Sequence, residues 1–322
     1  MTVLHRRSLL VLALAASAAV QAQPWPDKPI RLIVPYTAGS ASDLMSRVIS
    51  EPLAKALGQP IVIDNKPGAN STLGTHLAAK SAPDGYTLLM ATNAGLAASP
   101  GGLTDNVPYD PLKDLRYITL VGSVSYVWIA NNDMKARSAK EMLDYINAHP
   151  KQTNYASGNT GGIAYGGFLK NTYGLDITHA PYKSTPPAIV DLIGGQVQVM
   201  MADVASATPM IQSGKVKALG VPVAQRNPLL PDVPTFAEQG LVTPPDMSGW
   251  WMVAAPAGTP EAVLTRLNTE LVKVLGLPEV RSKLLQSGIV ASPSSREEAA
   301  KYQREQLDVW RRMVKELDLK GN

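Results

Sequence analysis

The chain has 322 residues, 45% of them hydrophobic, with no cysteine and a formal net charge of +4. That length and apolar content are enough for two ordinary domains, and the lack of cysteine excludes disulfides, thiol catalysis and Cys-ligated metals. Basic and acidic residues number 30 and 26 with no later basic block, so neither nucleic acid nor a membrane surface is an expected partner.

The N-terminus speaks to the compartment. His5-Arg6-Arg7 precede an apolar run from Ser8 to Val20, which leads into the small-x-small sequence Val20-Gln21-Ala22. A basic start, a run short of the roughly 20 residues a membrane helix needs, and a small-residue end make a secretory signal. Residues 1–22 are expected to be cleaved near Ala22, leaving a secreted chain of 28 − 26 = +2 once Arg6 and Arg7 are gone.

From Pro29 onward the pattern predicts strand, loop and helix in repetition. Ile30–Val34 reads as a buried strand and Pro35–Ser42 as a small-residue loop. Asp43–Leu57 reads as a helix with Leu44, Val48, Ile49, Leu53 and Leu57 on one face. Ser42 is the expected N-cap, Gly58 the stop, and Pro52 should kink or split this helix. Strand Ile61–Asp64, a loop over Pro67–Gly74, a helix to about Ser81 and strand Tyr86–Ala91 complete a βαβαβ unit, which implies a parallel sheet.

A second series opens with strand Tyr126–Ala130, and Ser138-Ala139-Lys140-Glu141 matches a capping box for a helix to about His149. Strand Thr153–Ser157, a Gly-rich turn, a helix to about Tyr173 and strand Ile177–Pro181 follow. Helix Ala188–Ile193, strand Val197–Ala202, helix Ala207–Gln212 and strand Val216–Val221 close the series. A Pro-rich stretch, Pro222–Pro245, holds a short helix near Thr235–Gln239. Apolar residues return at Trp250–Ala255. Helices then start at Pro260, at Pro278 (to Gln286) and at Arg296 (to Asp318). The expected fold is α/β, with two doubly wound domains joined by two crossovers and a cleft between them. The first domain spans 23–123 plus 251–322, and the second spans 124–250.

No nucleophile elbow, phosphate-binding loop, zinc-binding helix or dinucleotide fingerprint occurs, so no enzyme, cofactor or metal is expected. His5, His76, His149 and His179 stand isolated. What remains are five small-residue loops after strand ends, where open α/β sheets place ligands. Candidate contacts in the first are Tyr36, Thr37, Ala38, Gly39, Ser40, Ser42 and Asp43. The second loop gives Asn93, and the third Ser157, Gly158, Asn159, Thr160, Gly161 and Gly162. The fourth gives Lys183 and Thr185, the fifth Asp203. Small residues let backbone approach a ligand, and helix starts leave N–H groups unpaired, so an anion could be held without arginine. Asp203 either holds an amine, hydroxyl or water, or only caps the next helix. Tyr36 either walls the cleft or packs. Trp250 and Trp251 read as core or hinge packing.

The run Trp25-Pro26-Asp27-Lys28-Pro29-Ile30-Arg31-Leu32-Ile33-Val34-Pro35-Tyr36, followed by Ala38-Gly39-Ser40-Ala41-Ser42-Asp43, resembles the opening of mature Bug-type receptors. These are the extracytoplasmic binding proteins of tripartite tricarboxylate transporters. Asp64-Asn65-Lys66-Pro67-Gly68-Ala69, Ala82-Pro83-Asp84-Gly85-Tyr86-Thr87-Leu88-Leu89, Ala180-Pro181-Tyr182-Lys183 and Asp191-Leu192-Ile193-Gly194-Gly195-Gln196-Val197 extend the likeness over nearly the whole chain. The resemblance implies a type II periplasmic-binding fold, and a small carboxylate (dicarboxylate, amino acid or aromatic acid) held by amides and waters from the loops Tyr36–Asp43 and Ser157–Gly162. It further implies a monomer docking on membrane transporter subunits, or alternatively a sensory receptor presenting the same ligands. The chain departs from the pattern at Gly39-Ser40, where two Gly are usual, and at Gly162–Gly167, which lacks the usual His.

Overall fold

The computed structural model describes residues 25–319, so the expected signal lies outside the described residues. β1 (Ile30–Val34), α1 (Ala41–Leu57), β2 (Ile61–Asn65), α2 (Thr72–Ala79) and β3 (Thr87–Thr92) form the predicted unit, with β1 parallel to both β2 and β3. β1 reads apolar without alternation because both its faces are covered; Ile30, Leu32, Ile33 and Val34 are at most 2% exposed.

The first helix departs from expectation at two points. It starts at Ala41, with Ser40 as N-cap accepting from Asp43 N at 3.3 Å, so Ser42 sits inside the first turn. Pro52 does not split it. The N–H that proline removes is tolerated because Met45, Ile49 and Leu53 keep the helix packed, and packing supplies most helix stability in proteins.

Residues 93–125, where no regular element is expected, hold a π-helical segment Ala94–Leu103 and a ten-residue strand, β4 (Leu115–Val124). One residue, Ser125, separates β4 from β5 (Tyr126–Ala130). There follow α3 (Ala139–Ala148), β6 (Asn154–Ser157), α4 (Thr160–Tyr173), β7 (Thr178–Pro181), α5 (Thr185–Ile193), β8 (Val199–Asp203), α6 (Val204–Gln212) and β9 (Lys217–Gly220). Half of the expected capping box forms on α3. Ser138 Oγ accepts from Glu141 N at 3.1 Å, but the Glu141 carboxylate reaches one residue further back, to Arg137 N at 2.8 Å. α5 and α6 both begin earlier than their apolar runs suggest. Pro186 and Pro187 fall in the first turn of α5, where no N–H is needed, and Asp203 caps α6 directly from the strand end.

β10 (Gly249–Pro256), α7 (Glu261–Gly276), α8 (Pro278–Gln286), β11 (Ile289–Ala291) and α9 (Arg296–Glu316) complete the chain. Ser295 and Glu298 form a full capping box on α9. This helix covers the π-helical segment, with Gln303 Nε2 donating to Leu96 O at 2.9 Å and Trp310 1% exposed.

Two sheets result. The first runs β11-β4-β10-β3-β1-β2 and the second β7-β6-β8-β5-β9. Each has a parallel group of three (β2-β1-β3 and β7-β6-β8) extended by antiparallel strands, so neither is the all-parallel sheet that the sequence pattern implies. β10 lies antiparallel to β4 from Gly249 opposite Val124 to Pro256 opposite Leu115. The chain therefore leaves the first sheet and re-enters it at facing positions, which joins the two α/β units side by side. Asn171 Nδ2 of α4 also donates to Leu317 O just past α9, at 2.6 Å.

Candidate functional site

The C-terminal ends of β1, β3, β6 and β8 meet around a small, partly open cavity between the sheets. Tyr36, Ser40, Ala41, Ser42, Thr92 and Asn93 wall it from the first sheet. Tyr126, Asn159, Thr185 and Asp203 wall it from the second, and Gly249 and Trp251 from the returning strand. Three hydrogen bonds cross between the sides here, one of them between Tyr36 and Thr160. Thr37 Oγ1 meets Ser184 Oγ, and Thr160 Oγ1 donates to Asn70 Oδ1 at 3.1 Å.

On the first side, the 35–43 loop is braced from within. Asp43 Oδ2 accepts from Gly39 N at 2.9 Å and Arg47 Nε at 2.8 Å, while Oδ1 accepts from Asn65 Nδ2 at 3.0 Å. Burial alone would raise the Asp43 carboxyl, but these donors outweigh it and hold it below the usual carboxylate range. Asp43 is thus consumed in shaping the loop and lies outside the cavity wall. Gly39 serves conformation. Its φ is +79° and a Cβ there would meet nothing, and its N–H is already spent on Asp43. Thr37 and Ala38 are also off the wall, Thr37 being engaged across the cleft.

Asn93 is different. It is 6% exposed, it lines the cavity, and its Nδ2 has no hydrogen-bond partner. Beside it, Ala41 and Ser42 occupy the first turn of α1, where N–H groups lack intrahelical acceptors. Tyr36 is buried and hydrogen-bonded through Thr92 and Thr160; burial pushes its phenol well above the usual tyrosine range, so it stays neutral.

On the second side, Asn159 organises the wall as N-cap of α4. Its Oδ1 accepts from Gly162 N and Tyr126 Oη, both at 3.0 Å. Its Nδ2 donates to Thr185 Oγ1 at 2.9 Å and Asp203 Oδ2 at 3.1 Å. Thr185 Oγ1 donates to the same Asp203 oxygen at 2.8 Å, and Asp203 Oδ1 accepts from Ser206 N at 2.9 Å. Tyr126 is pushed well above the usual range by burial, with the Asp203 charge adding to it.

The glycines here answer to packing within the second unit. A Cβ on Gly161 would lie 2.1 Å from Cζ of Tyr126, and one on Gly158 would lie 2.3 Å from the Thr185 nitrogen. Gly39 and Gly161, expected to let backbone approach a ligand, are not among the residues that wall the cavity. Ser157 Oγ is hydrogen-bonded to His179 Nε2 at 2.7 Å. Ser157, Gly158, Thr160, Gly161 and Gly162 therefore support the wall without forming it. Lys183 is exposed and also stands outside it.

Seven expected residues come together: Tyr36, Ser40, Ser42, Asn93, Asn159, Thr185 and Asp203. Ala41, Thr92, Tyr126, Gly249 and Trp251 were missed as contacts. The last three sit at strand starts, where a search of strand ends does not look. The wall carries no Lys, Arg or His, and among the described residues no group of acids and histidines could hold a metal ion.

Similarity to known proteins agrees with this geometry. A UPF0065 protein of Bordetella bronchiseptica is 36% identical over 317 residues, covering 97% of this chain and 92% of its own. The solved periplasmic binding protein BugD is 30% identical with a TM-score of 0.85, over 92% of this chain and 99% of BugD. MatC of Rhodopseudomonas palustris, solved with bound malate, is 30% identical with a TM-score of 0.84, over 90% of this chain and all of that one. The profile of the tripartite tricarboxylate transporter family receptor matches residues 45–319, and with these likenesses over nearly its whole length the chain belongs to that family.

Proposed function

We propose that this chain is a periplasmic receptor, made with a cleavable signal over residues 1–22, that captures a small carboxylate and presents it to membrane subunits of a tripartite transporter. The two capturing domains are residues 23–123 with 251–322, and residues 124–250. Asn93 carries the reading. A buried amide donor without a partner lines a cavity next to a helix start, and such a group demands an acceptor. Tyr36, Ser40, Ser42, Asn93, Asn159, Thr185 and Asp203 are the proposed contacts, and the malate bound by MatC supports the ligand class. Capture would trade the ligand's water for fixed neutral donors as the units close about Ser125 and Gly249.

A thermal-shift panel of small acids tests this on protein first unfolded and refolded to strip carried ligand. A carboxylate at a hundredfold excess over Kd stabilises the folded state by about 2.7 kcal/mol, read as a clear rise in Tm. A sugar or metal cation that raises Tm while no acid does would overturn it.

A further inference from the structure

Among the residues walling the cavity, Asp203 brings the one carboxylate, and no cationic side chain balances it. It is 2% exposed. Capping α6 does not by itself call for an acid. The cap uses only Oδ1, and asparagine caps a helix as well while carrying no buried charge. Oδ2 is turned instead to Thr185 and Asn159, both cavity residues, and these are neutral donors that leave the charge in place. The charge is felt across the cavity, since it adds to the upward push on Tyr36 from one side and Tyr126 from the other.

The opposite wall has the complementary character. Asn93 Nδ2 lacks an acceptor, and Ala41 and Ser42 lie in the first turn of α1. The cavity therefore has a donor end on the first unit and an acceptor end on the second. The first end offers donors for one carboxylate. A second carboxylate, reaching the other end, would face Asp203 in a water-poor space where like charges repel far more than in bulk water.

Resting on the carboxylate reading above, we propose that Asp203 is the specificity-determining residue of this receptor. It receives the hydrogen of an ammonium or hydroxyl group on the ligand whose carboxylate is held at Asn93 and the α1 start. The favoured substrates are amino and hydroxy monocarboxylic acids, and dicarboxylates of the same length are discriminated against.

Isothermal titration of refolded protein with four acids at each chain length from three to six carbons tests this: the plain, the 2-hydroxy, the 2-amino and the dicarboxylic acid. The hydroxy or amino acid of the best length should bind at least about tenfold tighter than the dicarboxylate. Asp203→Asn keeps the cap and should erase that preference, the amino or hydroxy acid losing about tenfold while the dicarboxylate holds or gains. The wild-type ranking stands alone if the variant folds poorly. A dicarboxylate that binds wild type as tightly as its amino and hydroxy analogues overturns the inference, as does a folded Asp203→Asn variant with the ranking unchanged. Either outcome leaves the carboxylate reading intact, whereas failure of every acid in the panel sinks both.

Discussion

The indole Nε1 of Trp251 donates a 2.7 Å hydrogen bond to Oγ of Ser42, tying the strand that re-enters the first sheet to the first turn of α1. Both residues wall the cavity, at 6% and 2% exposure. The bond thus links the crossover to the wall that would hold an anion. Trp251→Phe keeps an aromatic side chain but loses the indole N–H, leaving the Ser42 hydroxyl without its donor, and should cost at least about 1–3 kcal/mol in urea unfolding. Ser42→Ala combined with Trp251→Phe should be little worse than either alone. Additive losses would mean the two residues are not coupled.

Gly161 and Gly39 should fail for different reasons. Gly161→Ala drives a methyl into the Tyr126 ring and should destabilise by about 1–3 kcal/mol, with much of the loss recovered in a Tyr126→Ala background. Gly39→Ala meets no atoms and should cost about 1 kcal/mol through its left-handed backbone alone, with no such recovery. Equal losses at both sites, unaffected by Tyr126, would contradict this assignment.

Asp43 predicts a pH dependence of defined sign. Its folded-state pKa lies below the unfolded value of about 3.9, so its contribution is present at neutral pH and disappears as pH falls through the folded pKa. Wild type should therefore exceed Asp43→Asn in stability by a constant amount above about pH 5, and the gap should shrink as pH falls below the unfolded value of about 3.9. Chemical denaturation at several pH values checks this. A gap that widens in acid would show the carboxyl is not held in its charged form.

Lys183 is exposed and off the cavity wall, so Lys183→Met should change affinity for the captured acid by no more than about twofold. Titration calorimetry measures it directly. A hundredfold loss would replace the neutral-donor mechanism with an ion pair.

The repeating elements were legible because their signals are local. β1, α4 and the strand Tyr126–Ala130 carry buried runs or capping residues that identify them from a few neighbours. β4 was not legible. Arg116 and Gly122 interrupt its apolar pattern, and what makes it a strand is β10, far along the chain. The site divides in the same way. Asn93, Asn159 and Thr185 follow strand ends, where the rule for open α/β sheets looks. Tyr126, Gly249 and Trp251 reach the cavity through the sheet crossing, which no short window contains. Asp43 was read as a ligand contact although its i,i+4 partner Arg47, which reaches both carboxylate oxygens, was visible; its other side-chain partner, Asn65, lies 22 residues on in β2, outside any short window.

The strand orders carry a consequence for how the molecule is built. β10 lies between β3 and β4, so the larger sheet stays in two pieces until residues 249–256 have been delivered. The smaller sheet draws all its strands from residues 126–220 and can close beforehand. A chain threaded out from its N-terminus therefore completes its middle first, while the half bearing Asn93 waits with unpaired edges until the last third arrives. Pulse-labelling of amide hydrogens on nascent chains of increasing length should find the β6–β8 amides protected before those of β4.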